Sequence, residues 1–287
     1  MKYGIVVSVS KTKFGLIVFK ENLYENLVKV KELGYDGVEL AIRKPESIDV
    51  DKVKKLIQEH DLTTIAIATG QIYCEEGLSF SDNDKTIREE SVKRIKLIID
   101  IASYFNSSVI IGLIRGKISS LNDFGKKLEI AEERIYECLS ECLSYSRNNS
   151  VNFLLEPINR YETNIFNKLE DVNNFLMRYK NKLDTNRIGI LADTFHMNIE
   201  EPAIHISIHN YLNLIEHIHF ADSNRLAPGF GHIDFYRIMN VLEANDYNGF
   251  ISFEMLSLPD PDTAAKKAID YVRSLEKKKP ATETEKH

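Results

Sequence analysis

Short apolar runs rich in β-branched residues alternate along the chain with longer segments whose apolar residues recur at helical spacing. The short runs are typical of strands and the longer segments of amphipathic helices. Regular alternation of the two indicates βα units that share a parallel sheet. We predict eight strands, at residues 3–9, 37–41, 64–68, 108–112, 151–156, 188–193, 217–221 and 250–254.

The segments between these strands predict helices at residues 21–33, 51–59, 84–105, 124–147, 169–178, 235–245 and 262–276. Eight βα units over about 250 residues match the usual size of a closed barrel. An open, doubly wound sheet is the rival, but no GxGxxG motif follows the first strand. We therefore predict an α/β fold, a single (β/α)8 TIM barrel over residues 1–274. Residues 275–287, rich in Lys, Glu, Thr and Pro, are predicted to form a disordered tail.

Composition favours a globular protein that acts on a small molecule. Hydrophobic residues make up 43% of the chain and charged residues 28%, with a net charge of −6, which argues against a nucleic-acid partner. The N-terminal apolar run is too short for export or a membrane span. Three cysteines, Cys74, Cys138 and Cys142, form no CxxC motif, so we expect reduced thiols and a cytoplasmic protein.

Four consecutive predicted strands, the fifth to the eighth, carry polar residues at their ends. These are Glu156, Asp193, the pair His217 and His219, and Glu254. Active sites of such barrels lie at the carboxyl ends of the strands. Taken singly, each acid could cap a helix or pair with a basic residue, but four consecutive strand ends indicate a shared partner. A buried carboxylate costs several kcal/mol unless a cation or a donor meets it.

Three carboxylates and one imidazole form an oxygen-rich ligand set that suits Mn²⁺, Mg²⁺ or Co²⁺. Zinc is less favoured, since no thiolate is placed to join the set. The period of two along a strand puts His217 and His219 on the same face, so spacing alone does not choose between them.

A family resemblance makes that choice. The strings LEPINRYETN, LADTFHMNIEE, HFADSNRLAPGFGH and SFEML resemble the D-tagatose 3-epimerase branch of the xylose isomerase-like TIM barrels, which includes D-psicose and L-ribulose 3-epimerases. The resemblance implies one divalent ion, with Mn²⁺ preferred, held by Glu156, Asp193, His219 and Glu254. It selects His219 because the family's ligand histidine stands six residues before an arginine, here Arg225.

The resemblance also implies catalytic roles. Glu156 and Glu254 would remove and return a proton on opposite faces of the carbon beside a ketone, through a cis-enediolate. Glu162, His196 and Arg225 match substrate-binding positions, with His196 expected on a loop leaving the barrel mouth. The family further suggests a homo-oligomer, either a dimer or a tetramer.

Two strings point to a sub-branch. ATGQIY and IIGLIRG resemble 5-keto-L-gluconate epimerase, and Arg115 in the second string is placed to bind a substrate carboxylate in a bidentate manner. The alternative for Arg115 is a pair with a neighbouring acid or a subunit contact. The substrate class is therefore a free keto-sugar or a keto-sugar acid.

Other functions are weighed against this one. Hydroxypyruvate isomerases and inosose dehydratases use similar sites and stay open as alternatives. An endonuclease IV-like DNA-repair enzyme needs three metals and extra histidines, which the segments AIRKPES and TGQIYCEEG lack, and its Asp-x-His pair is reversed here at His232 and Asp234. A non-catalytic sugar-binding module has no need for two opposed carboxylates.

Overall fold

Eight parallel strands close into a barrel in the computed structural model, which describes residues 1–12, 14–120, 122–149 and 151–276. The strands are β1 (Lys2–Ser8), β2 (Gly37–Ala41), β3 (Thr63–Ala68), β4 (Ser108–Ile111), β5 (Phe153–Leu155), β6 (Ile188–Asp193), β7 (Ile215–Phe220) and β8 (Phe250–Phe253). Each pairs with the next along the chain, and β8 closes the ring beside β1, where Ile251 faces Tyr3. The predicted (β/α)8 barrel is confirmed, and every predicted strand end lies within two residues of the observed one.

Ten α-helices accompany the strands in the described residues. They are α1 (Leu23–Glu32), α2 (Val50–Glu59), α3 (Gly70–Glu76), α4 (Lys85–Phe105), α5 (Phe124–Tyr145), α6 (Leu169–Tyr179), α7 (Thr194–Glu200), α8 (Ile204–Tyr211), α9 (Phe235–Ala244) and α10 (Pro261–Glu276). The seven predicted helices are all present. The helices α3, α7 and α8 have no predicted counterpart, because seven or eight residues are too few to display a helical period.

Helix α4 shows why the long helices form where they do. The side chain of Asp84 accepts a hydrogen bond from Thr86 N at 2.8 Å and so caps the first turn. Asn106 ends the helix in a left-handed conformation (φ 55°), which asparagine tolerates better than most residues. The face between these caps buries apolar side chains against the barrel, among them Val92, Ile95, Ile98, Ile99, Ile101 and Ala102.

The barrel interior is divided between apolar and polar side chains. Ala66, Ile110, Leu154 and Leu191, from the neighbouring strands β3 to β6, form a small buried cluster of their own, separate from the large core between barrel and helices. Polar side chains of β2, β7 and β8 are buried elsewhere in the barrel, including Glu39, His217 and Ser252.

The last helix extends slightly past the predicted domain end. Leu275 and Glu276, which the prediction assigned to the tail, belong to α10, and Leu275 is buried with 8% exposure. The rest of the predicted tail, residues 277–287, lies outside the described residues. Within the described ranges, no helix is both long enough and apolar enough to cross a membrane.

Candidate metal centre and active site

The four predicted metal ligands meet at the carboxyl ends of four adjacent strands. Glu156 directly follows β5, Asp193 ends β6, His219 lies in β7 and Glu254 directly follows β8. Each offers one nitrogen or oxygen atom within 4.8 Å of those of the other three. Glu156, Asp193 and His219 are at most 8% exposed. The barrel closure therefore gathers one imidazole and three carboxylates in a single buried cluster, which we call the mouth cluster.

A divalent cation fits the mouth cluster. His219 Nδ1 is buried and has no hydrogen-bond partner. Its nearest carboxylate oxygens, Asp193 Oδ2 at 3.6 Å and Glu254 Oε2 at 3.8 Å, lie beyond hydrogen-bond distance. A buried ring nitrogen without a hydrogen-bond partner that faces carboxylates is the arrangement expected of a metal ligand.

Arg225 bridges two members of the mouth cluster. Its Nη1 donates to Asp193 Oδ1 at 2.8 Å and Oδ2 at 2.7 Å, and its Nη2 donates to Glu254 Oε2. Burial alone would raise the pKa of Asp193, but Arg225, His196 and His219 together outweigh burial and hold that pKa well below its usual range. The predicted substrate-binding arginine thus lies against two of the predicted ligands.

The carboxyl groups of Glu156 and Glu254, at the ends of the two outer strands in this run of four, have raised pKa values. Burial raises the pKa of Glu254 to about 7, with Arg225 and His219 opposing it. Burial is also the main cause for Glu156, and the charge of Glu254 adds to it, so that the pKa of Glu156 lies well above its ordinary value. A nearby positive charge would therefore stabilise the ionised form of each group.

Gly112, the residue after β4, makes room for the Glu156 carboxylate. A Cβ atom at Gly112 would lie 2.5 Å from Glu156 Oε2 and 3.4 Å from Ile158 Cδ1. Any larger residue would therefore displace the carboxylate. The string IIGLIRG contributes this glycine to the mouth as well as Arg115.

His196 and Glu162 meet at one side of the mouth. The side-chain amide of Asn159 donates to His196 Nδ1 at 2.7 Å and to Glu162 Oε1 at 2.8 Å, while its oxygen accepts from Tyr161 N at 3.0 Å. These contacts fix the amide orientation and leave the ring proton of His196 on Nε2, which lies 3.7 Å from Glu156 Oε1. Asn159, which stands in the string LEPINRYETN, was not predicted as a site residue.

The expectation that His196 lies on a loop is wrong. It lies in the first turn of α7, and the Asp193 side chain caps this helix by accepting from Phe195 N at 2.8 Å and His196 N at 3.3 Å. An aspartate that ends a strand and starts a helix sets the direction of the next side chains. Burial lowers the pKa of His196 to about 3, so the ring is neutral.

Arg115 is buried at 1% exposure, and its guanidinium faces main-chain carbonyls. Nε donates to Ile165 O at 2.9 Å, and Nη2 donates to Phe166 O at 3.1 Å. Nη1 donates to Gly112 O at 2.9 Å and Glu156 O at 2.6 Å. This arrangement favours a structural role, in which Arg115 ties the end of β4 to the loop after β5, over the predicted binding of a substrate carboxylate.

Two buried residues beside the mouth cluster, Glu39 and His217, were not among the predicted ligands. Glu39 in β2 accepts hydrogen bonds from His219 Nε2 at 2.8 Å and from His217 Nε2 at 3.1 Å. Burial alone would raise the pKa of Glu39, but the two imidazoles outweigh it and lower the pKa to about 2. The signal was present, since GVELA places a carboxylate within an apolar strand, but Glu39 stands two residues before the strand end.

A cleft that is partly open to solvent lies at the mouth cluster. Its polar lining residues include Glu39, Glu156, His219, Glu254, Glu162 and His196. Its apolar lining residues are Phe14, Leu16, Ala68, Ile110, Leu113 and Ile158. The cleft therefore offers a ligand both polar groups and apolar surface.

Comparisons with known proteins agree with this geometry. A family model described as xylose isomerase-like TIM barrel matches residues 27–275. The chain is 25% identical over 262 residues to 3-dehydro-D-guloside 4-epimerase of Escherichia coli, covering 89% of this chain and 96% of that one. It is 28% identical over 239 residues to D-psicose 3-epimerase of Ruminiclostridium cellulolyticum, covering 79% and 75%. A crystal structure of D-allulose 3-epimerase from Methylomonas sp. superposes with a TM-score of 0.80 at 22% identity, covering 96% and 98%.

Proposed function

Because the chain belongs to the xylose isomerase-like TIM barrel family, we propose that it is an epimerase that inverts a carbon beside the ketone of a keto-sugar. Relatives over most of its length are named as epimerases of ketoses and of a 3-dehydro-guloside. The observation that carries the proposal is the pair of carboxyl groups, from buried Glu156 and partly buried Glu254, that cluster with Asp193 and His219 at the mouth of the barrel.

Inversion needs one group that removes a proton and another that returns it on the opposite face. We assign these roles to Glu156 and Glu254, which follow β5 and β8, the first and last of the four adjacent strands. Arg225 holds the carboxylate of Glu254 in place. His196, with its proton on Nε2 and its ring beside Glu156, serves as a donor to a substrate oxygen, and Glu162 lies next to it in the cleft.

The mouth cluster is proposed to hold one divalent cation through Glu156, Asp193, His219 and Glu254. Its oxygen-rich set supports Mn²⁺ first, with Mg²⁺ or Co²⁺ as alternatives and Zn²⁺ less favoured. When bound, the cation supplies Lewis-acid stabilisation of negative charge on substrate oxygens. Arg225 pairs with only two of the carboxylates in and beside the cluster, Asp193 and Glu254, so a bound cation would supply positive charge that the cluster lacks.

We further propose a neutral keto-sugar or keto-glycoside as the substrate. Arg115, the residue expected to bind an acidic group, donates instead to main-chain carbonyls and is not among the residues that line the cleft. A cytoplasmic homo-oligomer, dimer or tetramer, remains our expectation, and the free state of all three cysteines agrees with a reducing compartment.

The deciding experiment is turnover in D₂O followed by NMR. Metal-stripped protein is reloaded with Mn²⁺, Mg²⁺, Co²⁺ or Zn²⁺ and given a neutral ketohexose, a 3-keto-glycoside or a 5-keto-gluconate. We expect deuterium beside the ketone, together with the epimer, for a neutral substrate. Deuterium in the acid alone would overturn the neutral class, and no exchange in any substrate with any metal would overturn the epimerase proposal.

Two variants test the roles of the carboxylates. Glu156→Gln and Glu254→Gln should each abolish epimer formation, and each retains one carboxyl group that can exchange a proton without inversion. Metal content is measured in parallel, because both residues are proposed ligands. Glu216→Gln is the matched control, since Glu216 is an exposed carboxylate of β7 that does not line the cleft. Inversion at the wild-type rate in either active-site variant would contradict the assignment.

A further inference from the structure

Glu39, His217 and His219 form a buried hydrogen-bonded group directly behind the mouth cluster. We call it the Glu39 group. One oxygen, Glu39 Oε2, receives both contacts, at 2.8 Å from His219 Nε2 and 3.1 Å from His217 Nε2. All three residues are at most 2% exposed. His219 is therefore shared, with Nε2 in the Glu39 group and Nδ1 in the mouth cluster.

Barrel closure brings β2 and β7 close enough for this contact. Glu39 lies in β2 and the histidines in β7, so only β1 and β8 stand between them around the ring. Gly4 of β1 pairs with Ser252 of β8, and Ser252 is also the register partner of His219. A Cβ atom on Gly4 would meet Ile65 Cδ1 first and Ser252 Oγ at 2.9 Å, so the barrel interior has no space for a larger residue at this position.

The contact with Glu39 decides which nitrogen of His219 is free. A neutral imidazole has one N–H and one lone pair, and a carboxylate can only accept. Donation from Nε2 to Glu39 therefore leaves the lone pair on Nδ1, which faces Asp193 Oδ2 and Glu254 Oε2. His217, from its own Nε2, holds the same Glu39 oxygen and limits its movement.

We propose that Glu39 is a positioning residue of the metal centre, which fixes the ring orientation and the tautomer of His219 and is itself held by His217. The inference rests on the proposed function only in that a metal occupies the mouth cluster. A carboxylate behind a metal-bound histidine orients the ring and increases its basicity, and loss of such a partner typically weakens metal binding about 10–100-fold.

The first test reads the tautomer without any metal. ¹⁵N-labelled histidine is observed by NMR in the full, metal-free chain at alkaline pH, with His219 assigned by comparison with His219→Asn. We expect the proton of His219 on Nε2 in the wild type and a mixture of tautomers in Glu39→Leu. A wild-type proton on Nδ1 overturns the proposal. This readout also decides the matter if the wild type binds no metal, a result that would count against the proposed function instead.

The second test measures Mn²⁺ affinity by calorimetry. Glu39→Gln keeps the shape and an acceptor oxygen but loses the charge, so we expect about 10-fold weaker binding, and about 100-fold for Glu39→Leu. Glu216→Gln, on the same strand as both histidines, should bind as the wild type does. Unchanged affinity in both Glu39 variants, with only lower stability, would show a purely structural role. Two ions per wild-type chain and one in Glu39→Leu would make the group a second metal site and overturn the proposal.

Discussion

Replacing Gly112 by alanine should disable the site while leaving the fold nearly intact. The new Cβ would stand 2.5 Å from Glu156 Oε2, whereas ordinary contacts begin near 3.4 Å, so the carboxylate must retreat by about 0.9 Å. Misplacement of a reacting group by about 1 Å can cost about 100-fold in rate, which is about 2.7 kcal/mol of activation free energy. The clashing atom, Glu156 Oε2, is at the end of a flexible side chain. The loss of folding free energy should therefore lie near the lower end of the range for overpacked cores, about 1 kcal/mol.

The assay compares kcat at saturating Mn²⁺ with the free energy of unfolding in urea. Gly70→Ala is the matched control, because Gly70 lines the same cleft and its Cβ would meet only Phe14 Cζ, at an ordinary 3.8 Å. It should retain turnover within a few-fold of the wild type. If Gly112→Ala also turns over within about threefold, the reasoning that places the Glu156 carboxylate at the reacting carbon is refuted.

Three further predictions follow from other contacts. Arg115→Lys should lower the free energy of unfolding in urea by about 3 kcal/mol, because buried carbonyls lose their donors; unchanged stability with activity lost only on acidic sugars would restore the carboxylate-binding role. Removal of metal by EDTA should lower Tm by about 5–10 °C relative to protein in Mn²⁺ at about 100 times the Kd. Adding Mn²⁺ back should restore the Tm. A Tm that changes with neither EDTA nor Mn²⁺ would speak against the metal site. At pH 8 a disulfide reagent should modify the exposed Cys74 first, since burial raises the pKa of Cys138 to about 12 and that of Cys142 further; three equally fast thiols would contradict the described packing.

The strands and the mouth cluster were predictable because they depend on local pattern and on one topological rule. An apolar run that ends in a carboxylate, as before Glu156 and Asp193, marks both the strand and its functional end. Parallel closure then brings consecutive strand ends together. The choice of His219 over His217 was different, since both histidines face inward, and it came from the resemblance rather than from spacing.

Contacts between residues of different loops could not be predicted from the pattern of apolar and polar residues. Arg115 stands at a strand end, just as the acids do, yet its partners are carbonyls of residues 165 and 166, about fifty positions away along the chain. A guanidinium has five donors, so it can be saturated by main chain as readily as by a ligand. The sequence shows only that Arg115 follows the fourth strand. The direction in which its guanidinium points depends on the conformation of the loop after β5.

The contact of Glu39 with the two histidines was not predicted because it depends on closure of the barrel. In an open sheet of the same strand order, β2 and β7 would stand five strands apart, and 180 residues separate Glu39 from His219 along the chain. Closure places only β8 and β1 between them. A carboxylate in mid-strand costs free energy wherever it is buried without donors, so its presence in GVELA already required polar partners inside the barrel. The inward-facing His217, which the ligand assignment left without a role, is the partner that this requirement leads to.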